Sequence, residues 1–299
     1  MRRLAPIHRC WADVDRIGVV VDDLLEKVNS HTWYHTIDLG DGIVTPGFYD
    51  YRPVVDKIPW PDLRGKRCLD VGTFDGFLAF EMERRGAAEV VALDIDDYET
   101  LDWPARMRES GPKALIEKAG TERGKGFKLA KEVLGSNVQR VACNVYDLSP
   151  ERVGFFDLIV CGSILTHLRD PIRALERMRE VCAGQLLATE GVDPWLSIRH
   201  PRRALFELRG VQDQWFQMNR FGLLRALEVA GYEVVTEGKR YALEMGAGFG
   251  ARGIIPTMKR VRRAGWRVGG IALRRVMLAK LLTGHVGPGH IGVLARPDM

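Results

Sequence analysis

Between residues 66 and 96 the chain reads as strand, glycine turn, helix, strand, and that order narrows the fold more than any other feature. Arg67-Cys68-Leu69-Asp70-Val71 is a short apolar strand, and Gly72-Thr73-Phe74-Asp75-Gly76 is a turn. Phe77 to Arg85 has helical character, and Val90-Val91-Ala92-Leu93-Asp94 is a second strand. Strands that alternate with helices at this interval form a parallel sheet with helices packed over it. The alternation continues. Strands are expected at 138–145, 156–161, 185–189, 232–236 and 290–295, and helices at 127–134, 171–182 and 221–230, the second opening on Pro171. The expected fold class is α/β: a doubly wound, mostly parallel sheet with helices on both faces. Two long stretches interrupt it, residues 97–126 and the segment before the last strand. At the N-terminus Ile17, Val20, Val21, Leu24, Leu25 and Val28 fall at helical spacing, and the aromatic segment from His31 to Leu39 reads as loop. Pro53, Pro59 and Pro61 place a boundary near residues 60–65. The organisation expected is an N-terminal cap (1–62), a core (63–245), a basic helical insertion or lid (246–288) and a closing strand of the core (289–299).

The turn at 72–76 sits where ligands of open α/β sheets bind, at the carboxyl edge of the strands. Gly72 lets backbone approach a ligand without a Cβ between them, and Gly76 permits close packing at the helix start. Asp94 and its neighbour Ile95 end the next strand, where a carboxylate can accept hydrogen bonds from both ribose hydroxyls of an adenosine. A dinucleotide site would set bare glycine amides against a pyrophosphate. Here the middle position is Phe74, and the loop carries Asp70 and Asp75. Acidic groups repel phosphate and suit a cation, so S-adenosylmethionine is favoured over NAD. Farther along, Asp147 is placed to accept from an adenine amino group, with Val145 and Tyr146 flanking the ring. Cys161, Gly162 and Ser163 end the fourth strand, where they would pass the methionine part of the cofactor.

From about Lys66 to Val235, with a closing strand near 290–296, the chain resembles the class I SAM-dependent methyltransferases. It resembles most the subgroup that holds the tRNA wobble-uridine (5-oxyacetate-forming) enzyme and its relatives. The resemblance rests on Trp33-Tyr34-His35-Thr36-Ile37-Asp38-Leu39, on Gly65 through Gly76, and on Leu165-Thr166-His167-Leu168-Arg169-Asp170-Pro171. It implies a Rossmann-like, seven-stranded sheet whose last hairpin is antiparallel, with cofactor contacts at Gly72, Asp94, Val145 or Tyr146, and Asp147. The positions that hold a carboxylated cofactor in the wobble-uridine enzyme align with Tyr34, Thr166, His290 and Pro53. A buried extra carboxylate lacking cationic partners is costly, so ordinary SAM and plain methyl transfer are expected.

Transfer from a sulfonium needs mainly a positioned nucleophile and exclusion of water, with a base only where the acceptor carries a proton that must leave. The candidate catalytic residues are His167, His35 and Glu190; alternatively, the histidines brace loops and Glu190 is a solvated acid. Tyr34, Trp195, Arg199 and Trp215 are candidates for the acceptor site, against plain packing of loops onto the body. No histidine–carboxylate spacing calls for a metal.

The whole chain of 299 residues carries net charge +5, yet nine basic and no acidic residues fall between Arg252 and His285, which leaves −4 for the remainder. That block suits tRNA, an anionic membrane surface, or a lid over the acceptor. Five scattered cysteines without a Cys-x-x-Cys argue against disulfides or zinc. No apolar run reaches membrane-span length, and no signal-type apolar segment follows the basic start. A cytoplasmic enzyme is expected, with peripheral contact at the inner face of the membrane as one reading of the basic block. The expected reaction is in-line methyl transfer to a hydroxyl of a small-molecule, sugar or lipid-linked glycan acceptor. The alternatives are a tRNA wobble-uridine (carboxy)methyltransferase and a non-catalytic RNA- or membrane-binding protein on the same scaffold.

Overall fold

The computed structural model describes residues 22–119, 123–211, 214–249, 277–284 and 287–298. Helix α1 covers 22–29. After it come β1 (Tyr49–Asp50), β2 (Arg67–Val71), α2 (Phe77–Arg84), β3 (Glu89–Asp94), α3 (Ser110–Ala119), α4 (Lys125–Leu134) and β4 (Gln139–Ala142). The next run is α5 (Pro150–Val153), β5 (Phe156–Gly162), α6 (Pro171–Glu180), β6 (Cys182–Gly191) and α7 (Pro194–Arg199). The chain then forms β7 (Phe206–Val211), β8 (Gln214–Met218), α8 (Arg220–Val229), β9 (Tyr232–Glu237), β10 (Tyr241–Ala242), β11 (Glu244–Met245) and β12 (Gly289–Pro297). Most of the basic block, residues 252–276, and residues 13–21 of the expected N-terminal helix lie outside the described residues.

The main sheet runs β4-β3-β2-β5-β6-β12, with β9 and β10 both along the outer edge of β12. Strands β2 to β6 are parallel, and β12 is antiparallel to β6, β9 and β10. Eight strands stand where seven were expected, because the outer edge is broken. Residues 238–240 leave the ladder where Pro59 packs against Gly238 and Gly292. The chain works outward from β2 in one direction and from β5 in the other. The crevice at this switch point, above the carboxyl ends of β2 and β5, is where open α/β sheets take ligands.

Both faces of the sheet are covered, so its central strands are continuous apolar runs rather than alternating ones. Leu158, Ile159, Val160 and Cys161 are all fully buried. On one face Leu69, Ile159 and Leu186 pack with Leu175 and Met178 of α6 and Leu227 of α8. On the other, Cys68, Val160 and Leu187 pack with Leu78 and Met82 of α2 and with Trp33, Tyr51 and Val54 from the N-terminal segment. That segment is therefore part of a core. Trp33, Tyr51 and Val54 are each at most 1% exposed.

Two local readings are corrected. The third strand, expected to reach Val145, ends at Ala142. The Asn144 side chain accepts a hydrogen bond from the Tyr146 amide and turns Val145–Asp147 into a 3-10 helix. Trp215, expected in a loop, lies on β8 in a hairpin with β7 whose Phe216 and Met218 point into the core.

Candidate active site

The turn after β2 is built by backbone conformations that fix what can stand there. Gly72 has φ 77°, and a Cβ on it would come within 2.5 Å of Ile164 Cδ1. Gly76, at φ 93°, precedes α2, where a Cβ would strike Phe80 and Phe127 at 2.6–2.7 Å. Phe74 occupies the left-handed region without being glycine, at φ 48°. Such a conformation persists only where the surroundings hold it. The hold is visible: the Phe74 amide donates to Asp94 Oδ2 at 2.9 Å, and its ring lies against Tyr34 and under the Arg123 guanidinium.

Three buried carboxylates, Asp70, Asp94 and Glu190, stand near the carboxyl ends of β2, β3 and β6. Asp70 lies beneath the turn, 2% exposed, with Oδ2 lacking a hydrogen-bond partner. Burial pushes its pKa to about 7, with the nearby Asp94 adding to the rise. Asp94 accepts from the Phe74 and Ile95 amides and from Arg123 Nη2 at 2.9 Å. Glu190, expected just after its strand, stands within β6 and is fully buried. Its Oε1 accepts from the Ile164 and Leu165 amides at 3.0 and 3.1 Å and from the Cys161 thiol. Its Oε2 has no partner, and burial raises its pKa to about 7. Glu190 therefore holds the loop that follows β5.

Asp75, read from the sequence as a carboxylate facing the ligand, faces the cap instead. Its Oδ2 accepts from the Tyr34 and His35 amides at 2.5 and 2.9 Å, and the residue is 3% exposed. His35 is likewise not at an open surface. Its ring packs near Tyr34, Tyr51 and Phe77, and burial lowers its pKa to about 3, so it is neutral. Tyr34 is half-buried against Phe74 and Tyr49. His167 is half-buried on the 3-10 turn Leu165–His167, near enough to Glu190 to favour its ionised form.

On the adenine side as expected from the sequence, Val145 is buried and Asp147 exposed. The Tyr146 hydroxyl donates to Asp102 Oδ2 at 2.6 Å. Asp102, which sequence reasoning passed over, also accepts from the Arg169 amide and, through its carbonyl, from the Trp215 indole. Leu101, Asp102, Trp103, Arg169 and Trp215 line an open cleft of about 620 Å³. Cys161 and Gly162 close β5, and Gly162 is needed because Leu78 Cδ1 stands 2.5 Å from where a Cβ would be. Trp195 and Arg199 lie on α7 rather than in a loop, and both are exposed.

Two further arrangements had no sequence signal. Arg123, at 8% exposure, lies between the Phe74 and Tyr98 rings, 4.9 Å from each, and pairs with Asp94. Tyr51, Ser163 and His290 form a hydrogen-bonded chain just past the end of β5. Among the described residues, no group of three or more His, Cys, Asp or Glu is arranged to hold a metal ion, and no helix is long and apolar enough to cross a membrane.

Residues 47–237 match a family model described as a methyltransferase domain. The chain is 27% identical over 174 residues to the ubiquinone biosynthesis O-methyltransferase of Acinetobacter baumannii (strain ACICU), covering 54% of this chain and 61% of that protein. It is 26% identical over 121 residues to the tRNA U34 carboxymethyltransferase of Campylobacter hominis, covering 40% of this chain and 34% of that protein. The chain thus spans less than two thirds of either relative. Among solved structures it is similar to a Burkholderia thailandensis 1,6-didemethyltoxoflavin-N1-methyltransferase bound to S-adenosylhomocysteine. That match has 14% identity and a TM-score of 0.46, covering 100% of this chain and 93% of that one.

Proposed function

The chain belongs to the methyltransferase-domain family, and from that premise we propose that it moves the methyl group of S-adenosylmethionine to a hydroxyl of a small-molecule, sugar or lipid-linked acceptor. The observation that carries the choice of donor is the pair of buried carboxylates with bare oxygens, Asp70 Oδ2 and Glu190 Oε2. An ionised acid buried without a partner is unstable, and a cationic ligand relieves it. A diphosphate in the same place would add to the repulsion. Asp94 takes the ribose side. When bound, the donor supplies an electrophilic methyl on a positively charged sulfur.

The chain's own residues hold and orient the reactants. Asp75 ties the cap to the turn, Glu190 fixes the loop after β5, and Asp102 fixes Tyr146 and the backbone at Arg169. A carboxylated donor would need cations beside its extra acid. The groups at the aligned positions are uncharged: Tyr34, Thr166, Pro53, and His290, whose pKa burial lowers to about 4. The relatives named as O-methyltransferases favour an oxygen acceptor. The resemblance to a tRNA U34 carboxymethyltransferase keeps tRNA as the second reading. Mass spectrometry of metabolites and tRNA from cells with and without the protein tests both. A metabolite heavier by one CH₂ is expected, and a carboxymethyl-sized gain confined to tRNA would replace the first reading with the second.

A further inference from the structure

Ser163 closes β5 at φ 53°, in the left-handed region a serine enters only where its surroundings hold it. Its amide donates to the Thr189 carbonyl at 2.9 Å. Its Oγ lies 3.0 Å from His290 Nε2 and 3.1 Å from Tyr51 Oη. The direction of each bond follows from the next. His290 Nδ1 lies 3.0 Å from the Pro288 carbonyl, which can only accept, so Nδ1 carries the ring hydrogen. The ring is neutral because it is buried, so Nε2 is a bare acceptor. The Ser163 hydroxyl donates to it, and the Tyr51 hydroxyl donates to Ser163 Oγ. A hydroxyl has one hydrogen and two lone pairs. One lone pair on Ser163 Oγ is left over.

The placement gives that lone pair a use. Tyr51 and His290 are buried at 1% and 4% exposure, whereas Ser163 is half-buried, so Ser163 is the part of the chain a ligand can reach. The next residue, Ile164, packs over Gly72, which sets Ser163 next to the glycine turn. Tyr51 stacks on Phe77 at the start of α2, and His290 stacks on Tyr241. The Tyr241 hydroxyl is itself bonded to Thr189. Both ends of the chain are thereby fixed while its middle, Ser163, is half-buried.

We propose that Ser163 receives the acceptor's hydroxyl and relays its proton to His290. This rests on the hydroxyl-acceptor reading above. The acceptor O–H donates to the free lone pair of Ser163 Oγ, which leaves an oxygen lone pair for the methyl. As the O–CH₃ bond forms, the S–CH₃ bond breaks and its electron pair stays on sulfur. The acceptor's proton passes to Ser163 Oγ while the Ser163 proton passes to His290 Nε2. Positive charge thus moves from sulfur to imidazole, which returns the proton to water through Ser163 once the product leaves. An alcohol oxygen taking a methyl becomes strongly acidic, so a weak base captures its proton late in the step. Tyr51 is a positioning residue: it occupies the other lone pair and fixes the rotamer.

The test uses methyl-tritiated S-adenosylmethionine and the combined metabolite and lipid extract of the cells that make the protein. Ser163→Ala and His290→Gln are each expected to lower the rate of label transfer by about 100-fold or more, with S-adenosylhomocysteine affinity by calorimetry unchanged in His290→Gln. Nitrogen-15 NMR of the histidine rings gives a readout independent of turnover. His290 should be the neutral Nδ1–H tautomer near neutral pH, and in Ser163→Ala its Nε2 should move to the value of a nitrogen without a hydrogen bond. Should Ser163→Ala not fold, His290→Gln and the wild-type tautomer carry the test. Near wild-type transfer by either variant, an Nε2–H tautomer, or a loss of S-adenosylhomocysteine affinity in His290→Gln parallel to its loss of rate overturns the relay alone. Wild-type protein that binds S-adenosylhomocysteine yet labels nothing overturns the hydroxyl-acceptor reading, and the relay with it.

Discussion

Replacing Asp75 separates two effects that oppose each other in the folded protein. Its Oδ2 satisfies the amides of Tyr34 and His35, the junction between the N-terminal segment and the glycine turn. Asp75→Ala leaves both N–H groups buried without partners, at about 1–3 kcal/mol each, so about 2–6 kcal/mol is lost. Against this, burial raises the carboxyl from 3.8 to about 7, which makes ionisation in the folded state costly by roughly 4 kcal/mol at most. A carboxyl whose folded pKa exceeds its unfolded one adds stability that is complete below about pH 4. That stability is lost as pH rises through about 7. Asp75→Ala should therefore destabilise strongly at pH 5 and much less at pH 8. Asp75→Asn keeps an oxygen for both amides and does not titrate. It should match wild type near pH 5 and exceed it at pH 8. Urea midpoints at the two pH values read this directly. A fully stable Asp75→Ala at pH 5, or identical pH dependence for wild type and Asp75→Asn, would show that Asp75 neither secures the two amides nor titrates near pH 7 in the folded protein.

Three other outcomes follow from the same geometry. Asp94→Asn should weaken S-adenosylhomocysteine binding about 10- to 100-fold, the value of one charge-assisted hydrogen bond; calorimetry showing unchanged affinity would move the ribose elsewhere. Gly72→Ala meets both an unfavourable φ and Ile164 at 2.5 Å. It should cost about 1–2 kcal/mol from the backbone alone and abolish nucleoside binding, and a thermal melt with and without S-adenosylhomocysteine checks both. Asp70 and Glu190, each near pKa 7 in the free protein, should lose protons when the cationic donor binds. The binding enthalpy at pH 7 should then change with the buffer's ionisation enthalpy in the sense of proton release; uptake would contradict the assignment.

The sheet was legible because β2, β3, β5 and β6 are buried on both sides and read as apolar runs bounded by glycine and proline. The glycine turn and Asp94 were legible for the same local reason, lying within a few residues of one strand end each. What escaped was decided by contacts between distant segments. Asp75 looked like a ligand-facing acid, but amides 40 and 41 residues earlier claim it. Ser163 meets Tyr51 and His290 across 112 and 127 residues. Arg123 reaches Asp94 across 29 from an insertion without periodicity. The β7–β8 hairpin lacks the Asn-Gly or Asp-Gly signal that marks such turns. Asn144 ended β4 early through a side-chain bond that competes with the ladder.

The proposed choice of donor requires the buried acids Asp70 and Glu190 to favour a cationic adenosine over a diphosphate. Titration calorimetry of the purified protein with S-adenosylmethionine and, separately, with NAD measures that selection. Saturable one-to-one binding of S-adenosylmethionine with no heat from NAD is the expected result. Binding of NAD in the absence of any for S-adenosylmethionine would overturn the choice of donor.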